Sequence, residues 1–166
     1  MYTIDRARLD DQEAILTISA RTVGFGRLDQ DAIRELWEAY ADKGDASGYR
    51  FIVARSPEGA VGYACFGPTP LTEDVWDLYW LAVDPTQQRQ GAGRALMTAI
   101  EQEITAERAR MLLIETSGTA AYQAARRFYE SCGYHYQAVI HDFYAVGDDL
   151  LIFGKRFALD RPGANR

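Results

Sequence analysis

The segment Gln88-Arg89-Gln90-Gly91-Ala92-Gly93-Arg94 decides how this chain is read. It follows an apolar run, Leu78 to Val83, that is closed by Asp84-Pro85, and it leads into a helical pattern from Ala95 to Ile104. A strand, a short basic glycine-containing loop and a helix start form a site for a phosphate-bearing ligand. Free backbone N–H groups at a helix N-terminus point at an anion, and the helix dipole favours negative charge there. Gly91 and Gly93 carry no Cβ, so main chain and ligand can approach closely. A dinucleotide fingerprint would require glycine at position 96, which is Leu96, and a P-loop would require Gly-Lys-Ser/Thr, which is absent. What remains is Gln/Arg-x-x-Gly-x-Gly/Ala, met by Gln88, Gly91 and Gly93.

Composition narrows the setting. The 166 residues suit one domain with a sizeable core, expected over 1–158 with a flexible tail at 159–166. Hydrophobic content of 48% and charged content of 25% are ordinary for a globular protein. A net charge of −6 argues against a nucleic-acid partner, and against it Arg89 and Arg94 stand out because they bracket the glycine loop. No apolar run approaches the roughly 20 residues that span a bilayer, and the N-terminus lacks the apolar core of a signal peptide. A cytoplasmic protein without a membrane partner is expected. Cys65 and Cys132 read as free thiols, and His135 and His141 lack metal-ligand spacing, so no metal is assigned.

The periodicities predict a strand at Tyr2 to Arg6 and a helix capped by Asp10 or Asp11 with Ala14, Ile15 and Ile18 on one face. Gly24-Phe25-Gly26 breaks it, and Asp29 starts a second helix through Leu36, Trp37 and Tyr40. Phe51 to Ala54 and Val61 to Phe66 form a hairpin around Ser56-Pro57-Glu58-Gly59. Trp76 to Val83, apolar on both faces, is a central strand. A third helix from Ala92, a buried strand at Met111 to Ile114, a fourth helix from about Ala120 to Cys132, and strands at Tyr134 to Ile140 and Leu150 to Arg156 complete the chain. The expected fold class is α/β (α+β), a mixed sheet with helices on both faces.

The glycine loop and three further motifs, in the right order along the chain, carry a resemblance to the GCN5-related N-acetyltransferase (GNAT) superfamily. The loop resembles its acetyl-coenzyme A loop. Phe128-Tyr129-Glu130-Ser131-Cys132-Gly133-Tyr134 resembles its Phe/Leu-Tyr-Glu-x-x-Gly-Phe/Tyr segment. Val61-Gly62-Tyr63 and Leu81-Ala82-Val83-Asp84-Pro85 resemble its third and fourth strands. The resemblance covers residues 50 to 157. It implies a mostly antiparallel six- to seven-stranded sheet with about four helices, splayed between strands 4 and 5. It also implies an acetyltransferase with acetyl-coenzyme A as acyl donor.

By that resemblance, backbone groups at Gln88, Arg89, Gln90, Gly91, Ala92, Gly93 and Arg94 hold the pyrophosphate. The pantetheine arm pairs along Leu81, Ala82 and Val83 as an added strand would. An N–H near Val83 donates to the thioester oxygen. The proton donor to the leaving thiolate is Tyr129. Helical spacing places Ala121, Ala125, Phe128 and Cys132 on one stripe and Tyr122, Arg126 and Tyr129 on the next. Phe128 should then pack inward, with Tyr129 at the core's edge. Glu115, at the end of the fifth strand, is the first candidate base, ahead of Asp77 and Glu73. The superfamily often carries asparagine seven residues before the catalytic tyrosine; here that residue is Tyr122, with Thr119 or Ser117 as substitutes. Acceptor candidates are Phe25, Trp80, Thr116, Asp142 and Tyr144, with Pro70 and His141 beside them; Trp37 reads as core.

The first functional expectation is transfer of an acetyl group to the primary amine of a small molecule or amino-acid-like acceptor by direct attack. The alternatives are a non-catalytic acyl-coenzyme A-binding sensor and a protein or peptide N-terminal acetyltransferase. A homodimer through the exposed last hairpin is a further expectation.

Overall fold

The computed structural model describes residues 2–158, so the tail expected at 159–166 lies outside the described residues. One mixed sheet of seven strands has the order β1-β2-β3-β4-β5-β7-β6. The strands are β1 (Thr3–Arg6), β2 (Arg50–Ser56), β3 (Gly59–Pro68), β4 (Val75–Val83), β5 (Met111–Ser117), β6 (His135–Ala145) and β7 (Asp148–Arg156). Among the described strands only β4 and β5 run parallel, and β4 is central, as its two apolar faces predict.

Helices α1 (Gln12–Arg21) and α2 (Arg27–Lys43) cover one face, where Ile15, Ile18, Ile33 and Trp37 pack on Phe51, Val53 and Tyr63. Helices α3 (Ala92–Ala106) and α4 (Gln123–Ser131) cover the other, where Leu96, Met97, Ile100 and Ile104 pack on Ala64, Phe66, Leu112 and Ile114. None of the described helices is long and apolar enough to cross a membrane.

Two predicted caps act differently from expectation. Asp11 is the N-cap residue of α1, but its side chain makes no cap bond there: its carboxylate accepts the Arg8 N–H at 2.7 Å and both Arg55 Nη groups, at 2.8 and 2.7 Å. Burial opposes its ionisation, but the Arg55 and Arg8 hydrogen bonds outweigh it and hold the carboxyl below its usual range. Asp29 is the third residue of α2 rather than its start, and it accepts the Gly26 N–H at 2.7 Å.

The feature that positions the site is a bulge. Cys65 pairs with Trp80 and Phe66 with Leu78, leaving Tyr79 as the extra residue. A bulge bends and twists its strand. Beyond it β4 diverges: its pairing with β5 ends at Leu78 opposite Ile114. The predicted splay therefore exists, and the bulge marks where it begins.

Candidate active site

At the glycine loop, Gly91 is the N-cap of α3 at φ 93°, a left-handed conformation that glycine adopts without strain. The first intrahelical bond there is donated by Ala95 N–H to the Gly91 carbonyl. The N–H groups of Ala92, Gly93 and Arg94 thus lie ahead of the helical ladder, as a first turn requires. Gln88 Nε2 donates to the Val83 carbonyl at 3.2 Å and ties the loop to the end of β4. Arg89 is exposed at φ 60°. The Arg94 side chain donates to the carbonyl and hydroxyl of Ser131, at 3.3 and 3.1 Å. What this residue offers an anion is its backbone.

The register fixes which backbone groups face the gap. Asp84 N–H donates to the Val61 carbonyl, so Val61–Asp84, Tyr63–Ala82 and Cys65–Trp80 are the hydrogen-bonded pairs of β3 and β4. The N–H and C=O groups of Leu81 and Val83 consequently point away from β3, toward the side that β5 has left. Ala82, expected to share this role, has its backbone turned to Tyr63 and its side chain in the α1–α2 core. On the opposite wall Arg126 Nη1 donates to the carbonyls of Ser117 and Thr119, at 2.8 Å each.

Tyr129 is the more deeply buried of the pair, at 8% exposure, while Phe128 is half-buried and packs on the same α3–α4 core together with Ala125 and Cys132. The predicted Ala125–Phe128–Cys132 stripe therefore faces that core, and Tyr129 lies beside it. The 3-10 turn Ala120–Tyr122 that precedes α4 leaves Ala121 exposed, outside the stripe. Phe128 then meets the loop: a Cβ on Gly93 would stand 3.2 Å from its ring. Among the described residues the Tyr129 hydroxyl has no hydrogen-bond partner, yet it is not among the side-chain polar atoms sealed from solvent. Burial pushes the phenol far above its ordinary range, with small additions from Cys132 and Tyr122, so it stays protonated.

Strand alternation places Thr116 with Leu112 and Ile114 on the α3–α4 face, and Glu115 on the α1–α2 face. Thr116 is 5% exposed and its Oγ1 has no partner. It was expected on the acceptor side; parity puts it on the donor side with Tyr129. Glu115 is exposed, and its carboxyl is raised by partial burial and then by Asp77. Asp77 is itself raised by burial, although Thr69 Oγ1 donates to it at 2.7 Å. Tyr79 lies in the same field and is pushed up to about 12 by burial, then by Asp77. The two candidate catalytic groups, Tyr129 and Glu115, therefore approach the gap from opposite faces of one sheet.

Of the acceptor candidates, the structure brings Phe25 and Trp80 together edge to face, with ring centroids 5.1 Å apart. Tyr144 is half-exposed on β6, and its phenol is pushed up to about 12 by burial, then by Glu115. Asp142 does not join them: its Oδ1 accepts the Gly147 N–H at 2.6 Å within the last hairpin. His141 is likewise held there, by Asp149 at 2.9 Å. Ser117 and Thr119 do not stand in for the missing asparagine, because their hydroxyls bond each other at 2.8 Å and Ser117 Oγ also donates to Asp148 at 2.6 Å. The Tyr79 bulge escaped the sequence reading, although two aromatic residues in succession at 79 and 80 break the alternation of Trp76 and Leu78. A surface recess of about 580 Å³ lies between α1 and α2 around Leu16, Thr17 and Arg34, away from the gap.

Known proteins share this fold. The crystal structure of a protein from Desulfovibrio desulfuricans assigned to the GNAT family superposes with a TM-score of 0.90 and 36% identity, over 94% of this chain and 99% of that one. The ribosomal-protein-S18-alanine N-acetyltransferase of Escherichia coli shares the fold, with a TM-score of 0.78 at 22% identity over 100% of this chain and 99% of that one. In sequence, the [Ribosomal protein bS18]-alanine N-acetyltransferase of Escherichia coli K12 is 34% identical over 85 residues, 51% of this chain and 56% of that protein. The chain thus matches just over half the length of that relative. The family model for the acetyltransferase (GNAT) domain matches residues 47–136, more than half of the sequence, and the chain belongs to the GNAT acetyltransferase family.

Proposed function

We propose that this chain is an acetyl-coenzyme A-dependent N-acetyltransferase acting on a primary amine. The observation that carries the reading is the end of β4–β5 pairing at Leu78–Ile114, which leaves the edge groups of Leu81 and Val83 facing a gap between Tyr129 and Glu115. The residues fit the donor. The N–H groups of Ala92 to Arg94 suit a pyrophosphate, the Leu81–Val83 edge suits an amide-bearing arm, and the orphaned Thr116 Oγ1 suits a polar atom of that arm.

Bound there, acetyl-coenzyme A supplies an activated acyl carbonyl. Glu115 accepts a proton from the acceptor ammonium, and the amine nitrogen so freed attacks the carbonyl directly. Val83 N–H donates where negative charge grows on the oxygen. As the C–S bond breaks, Tyr129 gives its proton to the departing sulfur, and the attacking nitrogen, which must lose a second proton to become the amide, returns one to Tyr129 through water, so that the products are the amide, the free thiol and a restored phenol. In water a phenol near 10 and a thiol near 8.5 make that transfer uphill by about 2 kcal/mol. A buried thiolate is raised along with the phenol, so the mismatch narrows in the desolvated gap.

An open mouth favours the α-amine of a peptide or protein over an enclosed small amine. Tyr144 is 48% exposed and every residue of β6 is exposed, so the rest of a long acceptor has room outside. The test is thiol release from acetyl-coenzyme A with polyamines, amino acids and short peptides. Release that depends on the acceptor is expected, strongest with peptides. Saturable donor binding without release from any acceptor would favour the sensor reading.

Glu115→Gln separates the base from its neighbours. The raised Glu115 carboxyl must lose its proton to act, so kcat/KM of the wild type should climb with pH through a window above the usual glutamate value of about 4.3. The glutamine variant should lose that limb and have a lower kcat/KM at neutral pH. An unchanged pH profile would transfer the role to Asp77 or to water.

A further inference from the structure

Tyr122, at the position where the superfamily often carries asparagine, makes a contact that an asparagine is too short to make. Its hydroxyl donates to the Gly24 carbonyl at 2.8 Å, across 98 residues of sequence. Gly24 sits at φ +96°, and a Cβ there would stand 3.2 Å from the Tyr122 ring. Ring and backbone are therefore already in contact. Gly24 belongs to the α1–α2 connection, which rests on β4 through Phe25 and Trp80. Tyr122 belongs to the segment that leaves β5. The bond joins the two sides of the sheet where β4 and β5 no longer pair. Asp29 and Asp148 act electrostatically on both Tyr122 and Tyr144, and Glu115 acts on Tyr144, so these groups share one acidic, aromatic neighbourhood.

We propose that Tyr122 is a positioning and specificity-determining residue for the acceptor: its bond to Gly24 straps the α1–α2 connection across the gap, fixes Phe25 on Trp80 and sets the width of the acceptor entrance. The inference rests on the acetyl-transfer reading and assigns Tyr122 no contact with the reacting atoms. The strap acts on the acceptor wall, so donor binding is independent of it.

The test approaches the bond from both ends. Tyr122→Phe keeps the ring and removes the donor. Gly24→Ala adds a Cβ against the ring at a φ that L side chains rarely adopt. Each variant should raise the acceptor KM about fivefold, the worth of one ordinary hydrogen bond. The kcat and the acetyl-coenzyme A Kd should stay within about twofold, and amide hydrogen exchange at residues 23–26 should quicken by a similar factor. The double variant should be no worse than the more affected single one. Unchanged exchange in Tyr122→Phe, a loss that falls on donor affinity, or effects that simply add in the double variant would overturn the proposal. If the wild type releases thiol with no amine, the acetyl-transfer reading falls by itself, and exchange with donor affinity still decides whether the strap exists.

Discussion

Tyr129→Phe lowers kcat on the order of 100-fold, with the acetyl-coenzyme A Kd and the melting temperature nearly unchanged. The separation follows from the hydroxyl's position. Among the described residues the oxygen bonds to nothing, so removing it breaks no internal hydrogen bond. The ring stays packed against Phe128 and Phe153, at centroid distances of 5.6 and 6.4 Å. A tyrosine held for stability would show the reverse pattern, a lower melting temperature with activity kept. Its pH dependence is a second check. Burial holds the phenol far above the ordinary range, so below about pH 10 the wild type should show no alkaline loss of kcat from Tyr129 ionising. A tyrosine acting as a proton donor would otherwise fail as its proton left. Steady-state rates and calorimetry on the two proteins decide the matter, and equal kcat values would make Tyr129 a packing residue.

The second large effect falls on the donor. Gly93→Val should weaken acetyl-coenzyme A binding roughly 100-fold, about 2.7 kcal/mol, while kcat at saturating donor changes little. A Cβ at this position stands 3.2 Å from the Phe128 ring and 3.8 Å from Val83 Cγ2. The added methyl groups can be accommodated only by moving Phe128 or the first turn of α3. Either shift turns the N–H groups of Ala92, Gly93 and Arg94 away from a common anion, and hydrogen bonds to a charged partner are worth about 1.5–3 kcal/mol each. Gly91, with nothing within 4 Å of its notional Cβ, is constrained by φ 93° instead, so its substitution acts through strain. Titration calorimetry on folded Gly93→Val reads the effect. A Kd within about twofold of the wild type would remove the loop from the donor site.

The acceptor side was harder to read from sequence, and particular residues show why. Phe25 and Trp80 are 55 positions apart, and neither signals the other; they meet because the α1–α2 connection lies over β4. Thr116 and Glu115 are adjacent in sequence, yet strand alternation sends them to opposite faces. Asp142 has the chemistry for an ammonium, but a local turn claims its carboxylate. Tyr122 departs from the superfamily pattern, and only its bond to Gly24 gives that departure a role.

From residues 78–94 alone came the strand, the loop, the helix start and the anion-binding chemistry, because those depend on local backbone geometry and neighbours a few positions apart. The element order and the central place of β4 were legible for the same reason: hydrophobic period reports local burial. The tertiary structure decided what depends on phase and long-range pairing. It set the bulge at Tyr79 that opens the gap and the depth at which Tyr129 is buried beside Phe128. It also decided which of Leu81, Ala82 and Val83 turn their backbones to the gap. One extra residue in a strand reverses the face a side chain occupies, and no local pattern records that shift.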